Sequence, residues 1–141
     1  MPKHLLTNAK VTINSVDLSN FAFSLDTPDE REQVDVSGFS PSGTREYLPG
    51  VRDQTITIGF LQGYGTAEPH GVLNPLYVAG STFPISIQAD ATAAVGTTNP
   101  RYSGTAALYS YNGMAGDLNA RGEITATFRP ATGTGFSYQT T

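Results

Sequence analysis

Apolar residues in this chain recur mostly at every second position, in short runs broken by Gly, Pro, Asn and Ser. A period of two places alternate side chains on one face of a β-strand. Val11-Thr12-Ile13 and Val16-Asp17-Leu18 flank Asn14-Ser15, which predicts a strand, a tight turn and a returning strand, since Asn tolerates the left-handed conformation. Phe21, Phe23 and Leu25 share a face of the next run. Asp26 to Glu32 reads as a charged, Pro28-containing connection, and Val34-Asp35-Val36-Ser37 as another alternating strand. Arg52 to Leu61 predicts the clearest strand, with Ile56, Ile58 and Phe60 on one face and Asp53, Thr55, Thr57 and Gly59 on the other.

Further strands are predicted from Phe83 to Asp90, Tyr102 to Tyr111 and Arg121 to Arg129. Val72 to Ala79 is the one helical segment, with Asn74 as its cap, Pro75 at the first position and Gly80 past its end. The apolar faces, with Val34, Val36, Ile56, Ile58, Ile85, Ile87, Ile124 and Phe128, are expected to form the core. These elements make a mainly β fold: a β-sandwich or barrel-like domain with one short flanking helix, spanning residues 1–130. Residues 131–141 read as a Gly/Ser/Thr-rich tail carrying Phe136 and Tyr138, ordered only if something receives it. Gly38 to Gly50 is the longest irregular stretch. Its run Arg45-Glu46-Tyr47-Leu48 is unusually adhesive for a loop, which suggests that it packs against something.

Composition changes the picture in one respect. Charged residues make up only 14% of the chain, against roughly 25% in ordinary soluble domains. Weakly charged strands suit sheets whose outer faces meet other protein. The net charge of −4 argues against a protein that grips nucleic-acid phosphates, which needs clustered Lys and Arg. The absence of cysteine removes disulfides, thiolate metal sites and cysteine nucleophiles. No apolar run has signal-peptide or membrane-helix length.

Candidate chemistry is sparse. The histidines, His4 and His70, lie near the N-terminus and in a Pro/Gly-rich connection. Glu68 and His70 form the one close carboxylate–imidazole pair, short of the three ligands that a metal site requires. Asp29-Glu30-Glu32 lacks the ligand spacing of a calcium loop. The seven tyrosines could stack a sugar, although tyrosine on strands more often packs at interfaces, and the lack of Trp weakens that reading. No enzyme activity and no cofactor are expected. A chain of this kind acts through its surfaces.

Several segments, in order, carry a resemblance: Val11 to Ser19, Val34 to Phe39, Leu48-Pro49-Gly50-Val51-Arg52-Asp53 leading into Thr55 to Ile58, Leu73-Asn74-Pro75-Leu76-Tyr77, and Asn99 to Ala106. Over roughly Val11 to Pro130 the chain resembles the major tail tube proteins of long-tailed, non-contractile bacteriophages, particularly those infecting actinobacteria. It departs at Ser15, where relatives often carry Gly. The resemblance implies a subunit of hexameric rings whose inner sheets join into one barrel. Stacked rings would form a hollow conduit for genome delivery in the virion tail, assembled in the host bacterial cytoplasm.

The implied partners are further copies of the chain, other tail proteins (tape measure, tail terminator, tail tip) and double-stranded DNA in non-specific passage, with no membrane. The resemblance makes Gly38 to Gly50 the contact to the adjacent ring, through Arg45, Glu46, Tyr47 and Leu48. Strand parity nominates Asp35, Asp53, Thr55, Thr57, Gln88, Asp90, Glu123 and Thr125 for the lumen, where acids would repel phosphates. The alternatives are another phage structural protein, such as a tail terminator or capsid decoration protein, and a carbohydrate-binding β-sandwich.

Overall fold

The computed structural model describes residues 8–39 and 43–141. His4 and residues 40–42 of the Gly38–Gly50 stretch lie outside the described residues. The strands are β1 (Lys10–Ile13), β2 (Val16–Asp17), β3 (Ala22–Asp26), β4 (Asp29–Asp35), β5 (Tyr47–Gln54), β6 (Ile56–Leu61), β7 (Thr82–Gln88), β8 (Arg101–Ala115), β9 (Glu123–Pro130) and β10 (Ser137–Gln139), with helix α1 (Pro69–Ala79) between β6 and β7. One antiparallel sheet runs β2-β1-β7-β8-β9-β6-β3, with β10 also paired to β8, while β4 and β5 form a separate two-stranded ladder.

Chain connectivity forces the large sheet to curl. β2 and β3 lie at its opposite ends, roughly 29 Å apart if the sheet were flat. The five residue steps from Asp17 to Ala22 reach only about 18 Å. The ends therefore roll toward each other. They meet where the Leu18 N–H donates to the Val11 carbonyl (2.9 Å), the Val11 N–H donates to Ser19 Oγ (2.9 Å) and the Ala22 N–H donates to the Leu18 carbonyl (3.3 Å). Val11, Ile13, Leu18, Ile56, Ile58, Phe60, Phe83, Ile85, Ile124 and Phe128 fill the inside of this open barrel. α1 packs on β8 and adds Val72 and Leu73. Leu108 is opposite Phe128 but Ser110 is opposite Thr127, so Tyr109 is an extra residue on β8. That bulge moves the inward face of β8 from Ala106 and Leu108 to Tyr111.

Several expectations are corrected by the packing. The helix starts at Pro69 with Glu68 at its N-cap, so Asn74 is no cap and Pro75 lies inside, with no N–H for the Gly71 carbonyl. Pro69 takes the first-turn role expected of Pro75. Gly80 ends the helix as expected, at φ +64°. Asn14 and Ser15 both have positive φ (50° and 67°), the conformation of a two-residue hairpin turn. The single strand expected from Arg52 to Leu61 breaks at Thr55 into β5 and β6, which belong to different sheets. The Asp26–Glu32 connection contains the first half of β4, and Tyr47 to Gly50 is strand rather than loop. Val34 and Val36 are not core residues: they are 42% and 40% exposed. Gln88 is buried, because the following loop folds back over it and takes its amide at the Asp90 and Ala93 carbonyls, each at 2.8 Å. Residues 131–141 fold back on the domain, with Phe136 fully buried and β10 against β8.

Candidate assembly interface

β4 and β5 project as an arm whose two faces both meet solvent. Among their residues only Gln54, at the root, is buried. An isolated two-stranded hairpin is marginal in water, and this one is braced by its own ion pairs. Arg52 Nη2 lies 2.5 Å from Asp29 Oδ2, and Arg45 Nη1 lies 3.0 Å from Asp35 Oδ2. The Arg52 guanidinium holds the Asp29 carboxyl below the usual carboxylate range. Asp35 is lowered mainly by hydrogen bonds from the Ser37 hydroxyl and N–H. Beyond the ladder the Val36 N–H donates to the Glu46 carbonyl (3.0 Å), and Ser37 Oγ accepts from the Glu46 N–H (2.7 Å), carrying the pairing toward the tip.

Directly opposed residues share a face of such a ladder. Val34 lies opposite Leu48, and Val36 follows two positions on, so these three make one apolar patch. Asp35 lies opposite Tyr47, which puts Tyr47 on the other side of the arm from Leu48. Between Arg31 and Gln33 the register shifts, so Gly50 and Val51 together oppose Glu32. A Cβ on Gly50 would sit 3.2 Å from Glu32 Cβ and Val34 Cγ2, which explains a glycine at that bulge. Val51, in the bulge, is 78% exposed, Leu48 54% and Tyr47 49%, and Phe39 is bare near the tip. A monomer gains nothing by displaying this set, and exposed apolar clusters of this kind mark association surfaces.

Sequence reasoning found Arg45, Glu46, Tyr47 and Leu48 but missed Val34, Val36 and Val51 as their neighbours. The overlooked signal was the run Asp29-Glu30-Arg31-Glu32-Gln33 immediately before Val34, which cannot enter a core on either face.

The eight positions nominated by strand parity do not form one surface. Asp35 and Asp53 sit on opposite faces of the arm, with Asp53 paired to Arg129 at 2.8 Å. Thr55 lies at the arm root, its N–H donating to the Pro28 carbonyl at 3.1 Å. Gln88 is buried, and Asp90 is in the loop after β7. Thr57, Glu123 and Thr125 do share the outer face of β6 and β9. That outer face is a field of hydroxyls and amides: Thr57, Thr127 and Ser110 form one cross-strand row, and Thr12, Ser86, Ser103 and Ser137 another. The acids are concentrated elsewhere. Asp29, Glu30, Glu32, Asp35, Glu46 and Asp53, half of the 12 in the chain, belong to the arm and its tip.

The residues considered for catalysis or metal binding are engaged structurally. Glu68 accepts the Gly65 N–H, and His70 Nδ1 is 2.6 Å from the Tyr111 hydroxyl. Tyr64, His70, Tyr111 and Tyr77 form a chain of ring contacts 5.1–6.0 Å apart that fastens α1 to β8. Among the described residues no group of three or more His, Asp or Glu could hold a metal ion.

No family profile and no curated protein matches this chain. Solved structures do. A chain from the virion of a native gene transfer agent particle superposes with TM-score 0.76 at 16% identity, covering 97% of this chain and 99% of that one. The fold is that of particle-tail and tube-assembly chains. A chain from the tail of an empty gene transfer agent particle of C6 symmetry gives 0.66 at 18% identity, covering 84% and 82%. One from the sheath–tube complex of an extracellular contractile injection system gives 0.69 at 13% identity, covering 99% and 93%. The tail-tube-like fold thus spans both kinds of particle, and these likenesses speak for architecture alone.

Proposed function

We propose that this chain is a structural subunit of a phage-type tail tube, assembling as hexameric rings that stack into a hollow conduit for DNA. The observation that carries the proposal is the arm. A domain with a well-filled core nevertheless exposes Val34, Val36 and Leu48 on one arm face and Tyr47 on the other. Such a surface fits a subunit that spends its working life in contact with copies of itself, and the likeness to chains from a C6 tail, over 84% of this chain, and a sheath–tube complex, over 99%, supports this reading. In the proposed tube the arm crosses to the adjacent ring, and Arg45, Glu46, Tyr47 and Leu48 make that contact together with Val34 and Val36. The lumen wall is assigned to the hydroxyl-rich outer face, including Thr57, Glu123 and Thr125. Neutral hydroxyls let a polyanion pass without the ion pairs that would hold it. The siphophage setting, the tape measure, terminator and tail-tip partners, location in the virion tail and assembly in the bacterial cytoplasm belong to the same proposal.

A second reading has its own support. A chain from the sheath/tube terminator of a contractile injection system superposes with TM-score 0.71 over 99% of this chain. A terminator forms a ring but does not stack indefinitely. Negative-stain microscopy of concentrated protein separates the two: long hollow tubes identify the tube subunit, and isolated rings the terminator. Monomers at every concentration, checked by analytical ultracentrifugation, refute both.

A further inference from the structure

Gln54 ends β5, and the residue is 4% exposed where the arm enters the body. Its Oε1 accepts from the Phe136 N–H at 2.8 Å, and its Nε2 donates to the Phe136 carbonyl at 2.8 Å. One side chain thereby stands in for a rung of antiparallel ladder. The same Nε2 reaches Asp29 Oδ2 at 3.1 Å and lies 3.3 Å from the Tyr102 hydroxyl. Partner chemistry dictates this amide orientation, because a flipped amide would aim its oxygen at a carboxylate and a carbonyl.

Phe136 is fully buried, its ring 5.7 Å from Tyr102, with the tilted ring of Tyr138, on the adjoining strand, 4.5 Å from Tyr102. Gly104 makes room for it, since a Cβ there would lie 2.6 Å from Phe136 Cδ1. Asp29 is the first residue of β4, and Gln54 the last of β5. β5 is therefore tied at its root to residue 136, and β4 is held to that anchor through its partner Gln54. The remaining links are weaker at setting direction. The Thr55–Pro28 backbone bond pairs the two connecting residues between arm and body with each other, and Asp53–Arg129 is a solvent-exposed pair of the kind that contributes little.

We propose that residues 132–139 form a latch that sets the direction of the arm, with Gln54 as the positioning residue. Undocking the latch leaves the arm folded but free to swing about Pro28 and Thr55. Loss of the Gln54 amide strands the buried N–H and carbonyl of Phe136, which drives the segment out toward water. The inference concerns the isolated subunit and holds whether or not the subunit builds tubes.

The chain has no cysteine, so Gln33→Cys on the arm and Thr125→Cys on the body accept a pair of spin labels without background. Dipolar distance measurement on the dilute full chain is expected to give one narrow peak. Gln54→Leu, which keeps the volume, and Phe136→Ala are each expected to lose that peak for a broad distribution. Hydrogen exchange should then show residues 137–139 deprotected, with the β4–β5 and β8–β9 ladders still protected. Arg129→Ala should leave the peak narrow. A broad distribution in the unmodified background, or a narrow one in Gln54→Leu whether or not the latch stays docked, overturns the proposal. Gln54→Leu decides the matter even if Phe136→Ala fails to fold.

Discussion

The β6–β9 pair and the β4–β5 arm are built from similar material and have opposite fates. Both are antiparallel ladders with β-branched residues at alternate positions. In β6 and β9 the inward set Ile56, Ile58, Phe60, Ile124, Ala126 and Phe128 is wholly buried; in the arm, Val34, Val36 and Leu48 on a comparable face meet water. Alternation selects a face, but only a third element laid on that face makes it a core. β6 and β9 have β7, which sets Phe83 against Phe128, and the far end of the curled sheet across from them. Among the described residues nothing covers the arm's apolar face, so that face measures what an assembly would supply.

That contrast can be broken most forcefully from the core. Phe128→Ala removes a fully buried ring in edge-to-face contact with Phe83 and should cost about 3–5 kcal/mol in chemical denaturation. The arm should behave in reverse. Val34→Ser with Leu48→Ser should change subunit stability by no more than about 0.5 kcal/mol, while weakening ring stacking by about 2 kcal/mol or more. Sedimentation and microscopy would read the second effect. Tyr47→Ala, tested alone, reports whether the opposite face is also covered. Tubes that elongate normally with both faces altered would remove the arm from the ring-to-ring contact.

Smaller effects sharpen the comparison. Ser15 holds φ +67° in the β1–β2 turn, so Ser15→Gly should stabilise the body by about 0.5–1 kcal/mol without touching the arm. Thermal melting should show a modest rise. The smallest effect is pH-dependent. Asp29 and Asp35 have folded-state pKa values below the unfolded ones. Their contribution to the arm is therefore present above the unfolded carboxylate value and lost as pH falls through the depressed folded values. Hydrogen exchange across an acid series should show the arm losing protection before β8 and β9. Simultaneous loss in both regions would mean that the arm is no separate unit.

Much of the body was legible because its strands carry runs of two-residue period, as in Ile56-Thr57-Ile58 and Ile124-Thr125-Ala126. Gly80 was legible as a helix end because a positive φ favours glycine locally. The helix start was not, because Pro69 and Pro75 satisfy the same local rule, and the Leu73 packing that separates them is remote in sequence. The adhesive run Arg45 to Leu48 stood out by composition. Its partnership with Val34 did not, because a hairpin register depends on a turn whose type the sequence left open.

Residue types and periodicity by themselves determined a mainly β chain with one short helix, without cysteine chemistry and with an unusually sticky connection. These are properties of single segments, governed by local sterics and face polarity. Only the tertiary structure decided that Thr55 divides one apparent strand between two sheets, that Val34 and Val36 face water, that Gln88 is buried, and that Gln54 and Phe136 meet across 82 residues. Each of those outcomes depends on which face finds a second layer. Burial is a relation between distant segments, and no local pattern encodes it.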